Sequence, residues 1–461
     1  MRAYLPAENL KADWCGKRVA VIGLGVSNIA LIQVLKEAGA FLSGRDRKTR
    51  AELGQRAAEL EALGIDLVLG PEYLANIEDY DKVVVSPGVP KHFAELQAVE
   101  KLGKLSSEIA LVFRYSLAPI YGISGSSGKT TTTSLVGEML KTSDISVHVG
   151  GNIGTPLITD LGGISPQDCL LLELSSFQLE GLRQSPHGAV LTNISENHLD
   201  WHLTMENYIQ AKQNIYRHQK PTDFLVLNYD DALTRAMALD APGRVYYFSL
   251  QEPVQPGAYL LGEDLIYQDE MGSVVFAQRG QLALPGEHNL ANFLAAAVFS
   301  HLIGASWEAI RQVGEKFVGV PHRLEFVREV DGARYYNDSI ATTPHRTQAA
   351  LRSFTAPIIL IAGGSDKNLS FDELGLAIQT RVKSLILLGV TAPRIRQAVL
   401  AYGDYPIHEV KDLGEAVALA RDLATAGDIV LLSPACASYD QYPNFVARGA
   451  HFRELVQNLA K

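Results

Sequence analysis

The sequence has few cysteines, no excess of positive charge and no long apolar run. Its three cysteines, Cys15, Cys169 and Cys436, are scattered along 461 residues without the spacing of a metal site or a disulfide framework. The formal net charge of −10 argues against nonspecific binding to nucleic acid or to anionic membranes. The sequence also contains neither a recognisable signal peptide nor a stretch long enough to cross a bilayer. We therefore expect a cytoplasmic monomer that has no nucleic-acid or membrane partner.

The length and the pattern of apolar runs indicate several α/β domains. A chain of 461 residues exceeds what a single hydrophobic core organises. Apolar strands alternate with helical patterns and end in polar or glycine-bearing loops, which is typical of doubly wound α/β folds. We place the domains at residues 1–106, 107–320 and 321–461.

Residues 122–130, Gly-Ile-Ser-Gly-Ser-Ser-Gly-Lys-Thr, join an apolar strand to a helix through a glycine-rich loop. Such a loop can turn backbone N–H groups towards a phosphate chain, while Lys129 reaches the outer phosphates and Thr130 binds Mg²⁺. The spacing departs from the usual pattern, because Ile123 stands where its first glycine is expected. A variant phosphate loop is favoured, and a flexible linker before a helix stays the alternative.

Further along, Glu173 ends a strand of leucines, where a carboxylate beside a phosphate loop can bind Mg²⁺. Residues 197–202 contain two histidines and an aspartate, which fit a metal or substrate site as well as a structural polar cluster. Lys212 lies on a helix predicted at 205–218 and resembles any solvated lysine. A helix that opens near Gly286 places Asn289 at its start, either as a cap or near a base or ribose.

The amino-terminal strand at 18–22 leads into a Gly-Leu-Gly turn that ends at Gly25, and Asp46 follows about twenty residues on. Asn28 occupies the position of the third glycine of the dinucleotide fingerprint. A ligand-free turn, a nucleotide bound in another way and an NAD site are therefore all open, the last being the least favoured. Ser86, in a Ser-Pro-Gly turn, follows another apolar strand at 82–85.

In the last third of the chain, strands at 334–336, 358–361, 384–388 and 428–432 each lead into a loop rich in small or polar residues. Because the carboxyl ends of parallel strands meet at one edge of a sheet, these loops together predict a site for an anionic ligand.

These motifs together resemble the Mur ligase family of bacterial peptidoglycan synthesis, and most closely its D-glutamate-adding member. The resemblance covers almost the whole chain and is carried by residues 86–88, 122–130, 151–154, 172–180, 337–339 and 432–438. It implies a Rossmann-like domain for a UDP-sugar, a central P-loop ATPase and a Rossmann-like carboxy-terminal domain. It also implies that ATP phosphorylates the carboxylate of UDP-N-acetylmuramoyl-L-alanine, and that the amine of glutamate attacks the resulting acyl phosphate. This reaction serves cell-wall formation, and through it cell shape and division.

The resemblance also implies roles for individual residues. ATP is expected to contact Gly125, Ser126, Ser127, Gly128, Lys129, Thr130, Thr131, Asn289, Asn292, Arg323 and Asp338. Two Mg²⁺ ions are expected, one at Thr130 and one at Glu173, His198 and a carbamylated Lys212, and these last three residues act in catalysis together with Lys129. The UDP-sugar is expected near Gly25, Asp46, Ser86, Asn152, Ser175 and Gln178, and glutamate near Thr342, Lys367, Ser438 and Phe445.

Other functions remain open from the sequence. Ile340 stands where many relatives have a lysine, so a ligase of the same family for L-glutamate or another amino acid is the main alternative, with Lys367 or Arg346 able to supply the missing cation. A folate-type ligase is disfavoured by the additional amino-terminal domain. A protein that binds nucleotide without ligase chemistry is disfavoured by Glu173, His198 and Lys212, which indicate a second metal site.

Overall fold

The structure is a computed structural model that describes residues 8–366 and 369–460, apart from the side chains of Val26 and Asp200. It divides into two compact units, Met1–Phe317 and Val318–Lys461. Two sheets lie in the first unit and one in the second. Among the described residues, no helix combines the length and the apolar character that a membrane span requires.

The first sheet is parallel throughout and has the strand order β3-β2-β1-β4-β5. Its strands are β1 Arg18–Ile22, β2 Phe41–Asp46, β3 Asp66–Leu69, β4 Lys82–Val85 and β5 Leu105–Ser106. Its helices are α1 Glu8–Trp14, α2 Val26–Glu37, α3 Arg50–Leu53, α4 Gln55–Ala62, α5 Ala94–Lys101 and α6 Glu108–Tyr115. β1 and β4 are almost fully buried, as expected for parallel strands that are covered on both faces. This is the Rossmann-like arrangement that the sequence predicts.

The second sheet has nine strands in the order β14-β13-β12-β11-β10-β9-β6-β8-β7. They are β6 Ile120–Ser124, β7 Val147–Gly151, β8 Cys169–Glu173, β9 Gly188–Leu191, β10 Phe224–Asn228, β11 Arg244–Ser249, β12 Gly257–Leu261, β13 Asp264–Asp269 and β14 Gly272–Gln278. The helices are α7 Lys129–Thr142, α8 Ser176–Leu179, α9 Leu199–His202, α10 Met205–Gln213, α11 Ala232–Ala236, α12 Glu287–Ile303 and α13 Trp307–Lys316. β6 lies between β8 and β9, so its end at Ser124 opens beside the ends of both neighbours.

One edge of this sheet is antiparallel, because β12, β13 and β14 pair as two successive hairpins. The helix predicted to run to His218 is wrong in length, because α10 ends at Gln213. Asn214 follows it, and its side-chain amide donates to the carbonyl of Leu179 (3.0 Å), which ties the chain to α8 as it leaves the helix.

The second unit contains a six-stranded sheet in the order β15-β16-β20-β17-β18-β19, in which only the described pairing of β15 with β16 is antiparallel. Its strands are β15 Glu325–Val330, β16 Ala333–Asn337, β17 Ile358–Gly363, β18 Val382–Leu388, β19 Ile407–Glu409 and β20 Ile429–Leu432. Its helices are α14 Pro344–Arg352, α15 Asp372–Arg381, α16 Ala392–Leu400, α17 Leu413–Leu423 and α18 Phe445–Gln457. Buried aliphatic side chains on both faces of β17 give this unit a core of its own. The predicted α/β class is confirmed.

Candidate active site

The phosphate-loop candidate lies between β6 and α7 and can be built only with glycine at two positions. Gly125 and Gly128 have φ values of 147° and 82°, which residues with a Cβ atom rarely adopt. A Cβ atom on Gly125 would lie 1.9 Å from Oγ1 of Thr192, and one on Gly128 would lie 2.2 Å from Oδ1 of Asn292. The unusual glycine spacing therefore reflects where β9 and α12 approach the loop.

The two serines of the loop fasten it to the segment that follows β9. Oγ of Ser126 accepts from the N–H of Ser195 (2.9 Å) and lies 2.8 Å from the hydroxyl of Tyr208. The N–H of Ser127 donates to Oδ1 of Asn193 (2.9 Å). The backbone amides of both serines thus bond to Asn193. The expected phosphate donors are instead the amides in the first turn of α7, which carries Lys129, Thr130 and Thr131 and whose N–H groups have no intrahelical acceptor.

Two lysine ammonium groups meet at one carbonyl of this loop. Nζ of Lys129 donates to the carbonyls of Gly125 (2.9 Å) and Ser126 (3.1 Å). Nζ of Lys212 donates to the same Gly125 carbonyl (2.8 Å) and to Oγ of Ser124 (3.2 Å). Lys212 is 1% exposed, and its burial, together with the nearby Lys129 charge, holds its pKa well below the ordinary range despite Glu173. The lowered pKa makes the neutral amine of Lys212 easier to form than that of an exposed lysine.

Glu173 presents a buried carboxylate with one oxygen available for a cation. Its side chain is 1% exposed at the end of β8. Oε1 accepts from Nδ2 of Asn152 (2.8 Å), whereas Oε2 has no hydrogen-bond partner among the residues that the structure describes. A buried carboxylate oxygen without a donor is costly, so this position fits a metal ligand. The side chain of Asn152, which was expected near the sugar, is thus hydrogen-bonded to Glu173.

The histidines at 198 and 202 lie around the ring of Phe177. His198 has a left-handed backbone (φ 55°) immediately before α9, and its ring centroid lies 4.8 Å from that of Phe177. The His202 ring stacks on Phe177, and its Nε2 is 2.9 Å from Oγ of Ser176. His202 is therefore part of the packing of α8. Over residues 8–366 and 369–460, no three His, Cys, Asp or Glu side chains form a ready metal site. A cation at Glu173 would thus need other oxygen ligands.

Two residues expected at the sugar form the cap of α8. Oγ of Ser175 accepts from the N–H of Gln178 (3.3 Å), while Oε1 of Gln178 accepts from the N–H of Ser175 (3.1 Å). This reciprocal capping box begins the helix two residues after Glu173. The structure thus gives both side chains a local role and fixes the direction in which the chain leaves β8.

The two asparagines expected near adenine differ in position. Asn292 is buried on α12, with its Oδ1 beside Gly128 and 3.5 Å from Oγ1 of Thr132. Asn289, one turn earlier, is partly buried and donates from Nδ2 to the carbonyl of Pro285 (2.7 Å). Asn292 therefore contacts the phosphate loop directly, whereas Asn289 bonds to the segment that precedes the helix.

The residues expected to hold the UDP-sugar in the first domain meet at the carboxyl ends of β1, β2 and β4. Oδ2 of Asp46 accepts from the N–H of Leu24 (2.8 Å), next to Gly25. A Cβ atom on Gly23 would lie 2.7 Å from that of Ser86, so these two turns touch. Asn28 fills the place of the missing glycine and donates from Nδ2 to the carbonyls of Ile22 (3.0 Å) and Gly23 (2.9 Å).

In the second unit, Asp338 follows β16 and is buried. Its Oδ2 accepts from Oγ of Ser433 (2.7 Å) and its Oδ1 from the N–H of Leu324 (3.2 Å). Burial raises the pKa of Asp338 to about 7, although these hydrogen bonds and the charges of Arg323 and Arg346 oppose the shift. Asp338 therefore changes protonation near neutral pH.

The other residues expected at glutamate lie around the same sheet edge. Ser438 is buried after β20, Thr342 is partly buried after β16, and the carbonyl of Phe445 accepts from Oγ of Ser339 (2.8 Å). Nη1 of Arg346 donates to the carbonyl of Ile340 (3.2 Å). Lys367 lies outside the described residues.

Sequence reasoning missed two residues that organise these sites. The Tyr208 ring lies 4.9 Å from Nζ of Lys212, one helical turn away on α10, and its hydroxyl contacts Ser126. The i, i+4 spacing of Tyr208 and Lys212 was a usable signal. Arg448 is buried on α18 and donates to Ser339 and to the carbonyls of Cys436 and Ala437, which ties together the loops after β16 and β20. Nothing local in the sequence distinguishes it from a surface arginine.

Comparison with known proteins covers the chain from end to end. Residues 17–105 match the Mur ligase MurD-like N-terminal domain, residues 123–300 the Mur ligase middle domain, and residues 322–436 the Mur ligase glutamate ligase domain. The UDP-N-acetylmuramoylalanine–D-glutamate ligase of Symbiobacterium thermophilum is 48% identical, over 96% of this chain and 98% of its own length. The enzyme of the same name from Clostridium novyi is 43% identical over 96% of this chain and 97% of its own.

Solved structures show the same fold at lower identity. The UDP-N-acetylmuramate–alanine ligase of Thermotoga maritima aligns with a TM-score of 0.52 at 19% identity, over 96% of this chain and 99% of its own. A murein peptide ligase of Psychrobacter arcticus aligns with a TM-score of 0.51 at 16% identity, over 97% of this chain and 100% of its own. With three domain matches in order and relatives above 40% identity over nearly its whole length, the chain belongs to the Mur ligase family.

Proposed function

We propose that the chain is an ATP-dependent ligase that joins D-glutamate to UDP-N-acetylmuramoyl-L-alanine in peptidoglycan precursor synthesis. Relatives that are 41% to 48% identical over 96% of the chain are named for this reaction. The structural observation that carries the proposal is the juxtaposition of a phosphate loop, two lysines that share the Gly125 carbonyl, and the buried carboxylate of Glu173 on the neighbouring strand.

The first step requires that two anions react. A carboxylate oxygen of the UDP-sugar substrate attacks the γ-phosphorus of ATP, an acyl phosphate forms and ADP leaves. Lys129 and the amides at the start of α7 offset the negative charge that accumulates on the phosphoryl oxygens. Since Nζ of Lys129 lies on the carbonyls of Gly125 and Ser126, we infer that it turns from these carbonyls to the phosphates.

Magnesium would neutralise phosphate charge at this site. We assign a first ion to Thr130, which is buried at the start of α7, and a second to Glu173, whose Oε2 lacks a donor among the described residues. His198 is the further ligand that we assign to the second ion. Mg²⁺ prefers oxygen ligands, which Glu173 and the phosphates would supply, while His198 would add a nitrogen.

We further propose that Lys212 is carbamylated. A neutral, buried amine is a nucleophile for CO₂: its nitrogen bonds to the carbon, one proton leaves, and a carbamate anion results. The depressed pKa of Lys212 favours this reaction, and the product would replace a buried cation beside Lys129 with oxygen ligands for the second ion.

In the second step the amine nitrogen of glutamate attacks the acyl carbon, phosphate leaves and the new amide nitrogen loses a proton. We assign Thr342, Lys367, Ser438 and Phe445 to glutamate. We assign Gly25, Asp46, Ser86, Asn152, Ser175 and Gln178 to the UDP-sugar, and Asn289, Asn292, Arg323 and Asp338 to the nucleoside part of ATP. Correspondingly, residues 1–106, 107–320 and 321–461 are proposed as the sugar-nucleotide, ATP and amino-acid domains of a monomer that works in the cytoplasm.

An alternative of the same class is a ligase that accepts L-glutamate or another amino acid. It is supported by Ile340, because the family resemblance places a lysine, and therefore a cation, at this position. Arg346 offers a replacement cation, because its guanidinium lies on the carbonyl of Ile340.

A phosphate-release assay tests the function and its alternative together. The protein is incubated with ATP, Mg²⁺ and UDP-N-acetylmuramoyl-L-alanine, with D-glutamate, L-glutamate or no amino acid. We expect release that depends on the sugar substrate and on D-glutamate. Release with L-glutamate alone would establish the alternative, and no release with either isomer would refute the ligase.

A further inference from the structure

A large cavity lies between the first sheet and residues 181–184, away from the candidate active site. Its volume is about 720 Å³, which is within the range of pockets that hold metabolites. The lysines at its sheet side, Lys17, Lys82 and Lys104, stand at the amino ends of β1, β4 and β5. The residues expected at the UDP-sugar stand at the opposite, carboxyl ends of the strands. The cavity also reaches Val85 and Ser106, at the carboxyl ends of β4 and β5, but none of the residues expected at the UDP-sugar lines it.

The cavity is strongly basic on a chain of net charge −10. Six basic side chains and two acidic ones line it. Both acids are already paired, Asp13 with Arg114 (2.7 Å) and Glu100 with Arg183 (3.6 Å). The other four basic residues, Lys17, Lys82, Lys91 and Lys104, form no salt bridge in the described structure, although Lys82 interacts electrostatically with Asp13 and Lys91 with Glu180 and Glu100.

The four lysines differ in their hydrogen bonds. Lys91 donates to the carbonyl of Glu180, and Lys104 donates to the carbonyl of Glu78 (2.7 Å). Neither Lys17 nor Lys82 donates a side-chain hydrogen bond or forms an ion pair within 8–366 and 369–460. Ammonium groups gathered in a concave surface raise the local concentration of anions.

The rest of the cavity wall is apolar, and hydrogen bonds fix the position of its largest side chain. Trp14, Leu105, Leu111 and Leu182 contribute apolar surface. Nε1 of Trp14 donates to the hydroxyl of Tyr115 (2.8 Å), which in turn donates to Asp13 (2.7 Å). Because Asp13 is also bound by Arg114, the ring of Trp14 is fixed by a chain of hydrogen bonds. A ligand therefore meets a preformed surface that has both charge and an apolar face.

We propose that this cavity binds a small organic anion that carries at least two negative charges, such as phosphate or carboxylate groups, on an apolar or ring-bearing body. The ligand would contact the first sheet and residues 181–184 together. Its binding is independent of the proposed ligase activity, because none of the residues assigned to ATP, metal, sugar or glutamate lines the cavity.

The three tryptophans of the chain allow a site-specific test by NMR. The indole N–H of Trp14 reports on the cavity, that of Trp201 on the surroundings of Phe177 and His198, and that of Trp307 on a distant helix. Each signal is assigned by substitution with phenylalanine. The full-length protein is titrated with inorganic pyrophosphate and, separately, with citrate, so that phosphate and carboxylate ligands are distinguished.

We expect at least one probe to shift the Trp14 signal saturably, with a midpoint below about 1 mM, as is usual for metabolite sites. The double variant Lys17→Gln/Lys82→Gln should raise the midpoint about tenfold or more, since it removes two charged donors. The matched variant Lys141→Gln/Lys316→Gln, which changes exposed lysines elsewhere, should leave it unchanged. The proposal is overturned if neither probe moves Trp14 saturably, if only Trp201 responds, or if the cavity variant binds as the wild type does.

Discussion

The pKa of Lys212 is determined by burial and not by residue type alone. Its ammonium is enclosed by Ser124, Gly125 and Tyr208, and its pKa is depressed chiefly because water is excluded. From the sequence alone it could not be told from Lys220, which is exposed eight residues later. The burial arises from the packing of α10 against the end of β6, a contact between segments about ninety residues apart that no local pattern encodes.

Lys212 should carry a carbamate in the presence of CO₂. Protein equilibrated with ¹³C-bicarbonate should show a carbamate carbon resonance that the Lys212→Arg variant lacks, because guanidinium is not a nucleophile at neutral pH. The Lys220→Arg variant, altered at an exposed lysine, should retain the signal. A signal that persists in Lys212→Arg, or that is missing from the wild type, would contradict the proposed modification.

Asp338 should make the second unit less stable as the pH rises. Its pKa is about 7 when folded against an ordinary value of 3.8, so the folded state binds the proton more tightly. The resulting stability is complete below the ordinary pKa and is lost as the pH rises through about 7, with a ceiling of roughly 4 kcal/mol. Asp338→Asn should therefore gain thermal stability relative to the wild type between pH 5 and pH 8.

Calorimetry of the full chain at both pH values measures this difference. Asp331→Asn, at an exposed position in the same unit, serves as the control and should follow the wild type. An Asp338→Asn variant with the same pH dependence as the wild type would show that the buried carboxyl does not hold its proton in the folded state.

At the level of elements, the sequence predicts strands well where a short apolar run ends in glycine or polar residues. β1, β4 and β8 coincide with predicted strands, because leucine, valine and isoleucine runs that end in glycine or polar residues have few other solutions in an α/β fold. The end of α10 was not predicted, since the residues after Gln213 are compatible with a helix and the contacts that redirect them, such as those of Asn214 with Leu179 and Ser185, are distant in the sequence. The capping box of α8 was visible as Ser-x-x-Gln, but it was interpreted as substrate contacts.

The turn from β1 to α2 should depend on Asn28. Asn28→Gly would restore the third glycine of the dinucleotide fingerprint, but it removes two hydrogen bonds to the strand end and places glycine in a helix. We expect a loss of about 2–3 kcal/mol in unfolding free energy, from the unpaired carbonyls and the helix propensity of glycine. Urea unfolding of the full-length protein measures this loss, with Gln33→Gly, on the same helix, as the control for propensity alone.

We also expect Asn28→Gly to gain no affinity for NADH in a fluorescence titration. The substitution leaves the bonds of Asp46 to the N–H groups of Leu24 and Lys48 unchanged, so it adds no group that would bind a dinucleotide. NADH binding by the variant would mean that Asn28 alone prevents this turn from binding a dinucleotide. A loss of stability no greater than that of Gln33→Gly would contradict the role given to its amide.

At the scale of the whole molecule, the sequence predicted three domains, and the structure has three sheets in two compact units. The break at Phe317 lies close to the predicted boundary at 320, because the exposed Val318, Gly319 and the following proline interrupt the helical pattern of α13. No comparable break separates the first two sheets. One apolar cluster includes Val84 of the first sheet and Leu170 of the second, so packing between the two sheets depends on residues that are distant in the sequence.

Limited proteolysis should separate the two units. Lys316 and Val318 are exposed, the latter by 67%, and each unit has its own apolar clusters. Brief treatment with trypsin or thermolysin should therefore give fragments close to residues 1–317 and 318–461, each with a circular dichroism spectrum of a folded α/β protein. Early cleavage elsewhere, or an unfolded fragment 318–461, would show that the second unit depends on the first.

The hydrogen bonds between Lys129 and its own loop compete with the binding of phosphate groups. A phosphate that draws the ammonium from the carbonyls of Gly125 and Ser126 must replace two charged hydrogen bonds, each worth about 1.5–3 kcal/mol. Only a phosphate chain long enough to reach the lysine offers that replacement. If the proposed function holds, we expect ADP and ATP to draw Lys129 from these carbonyls, and a nucleoside monophosphate to leave it in place.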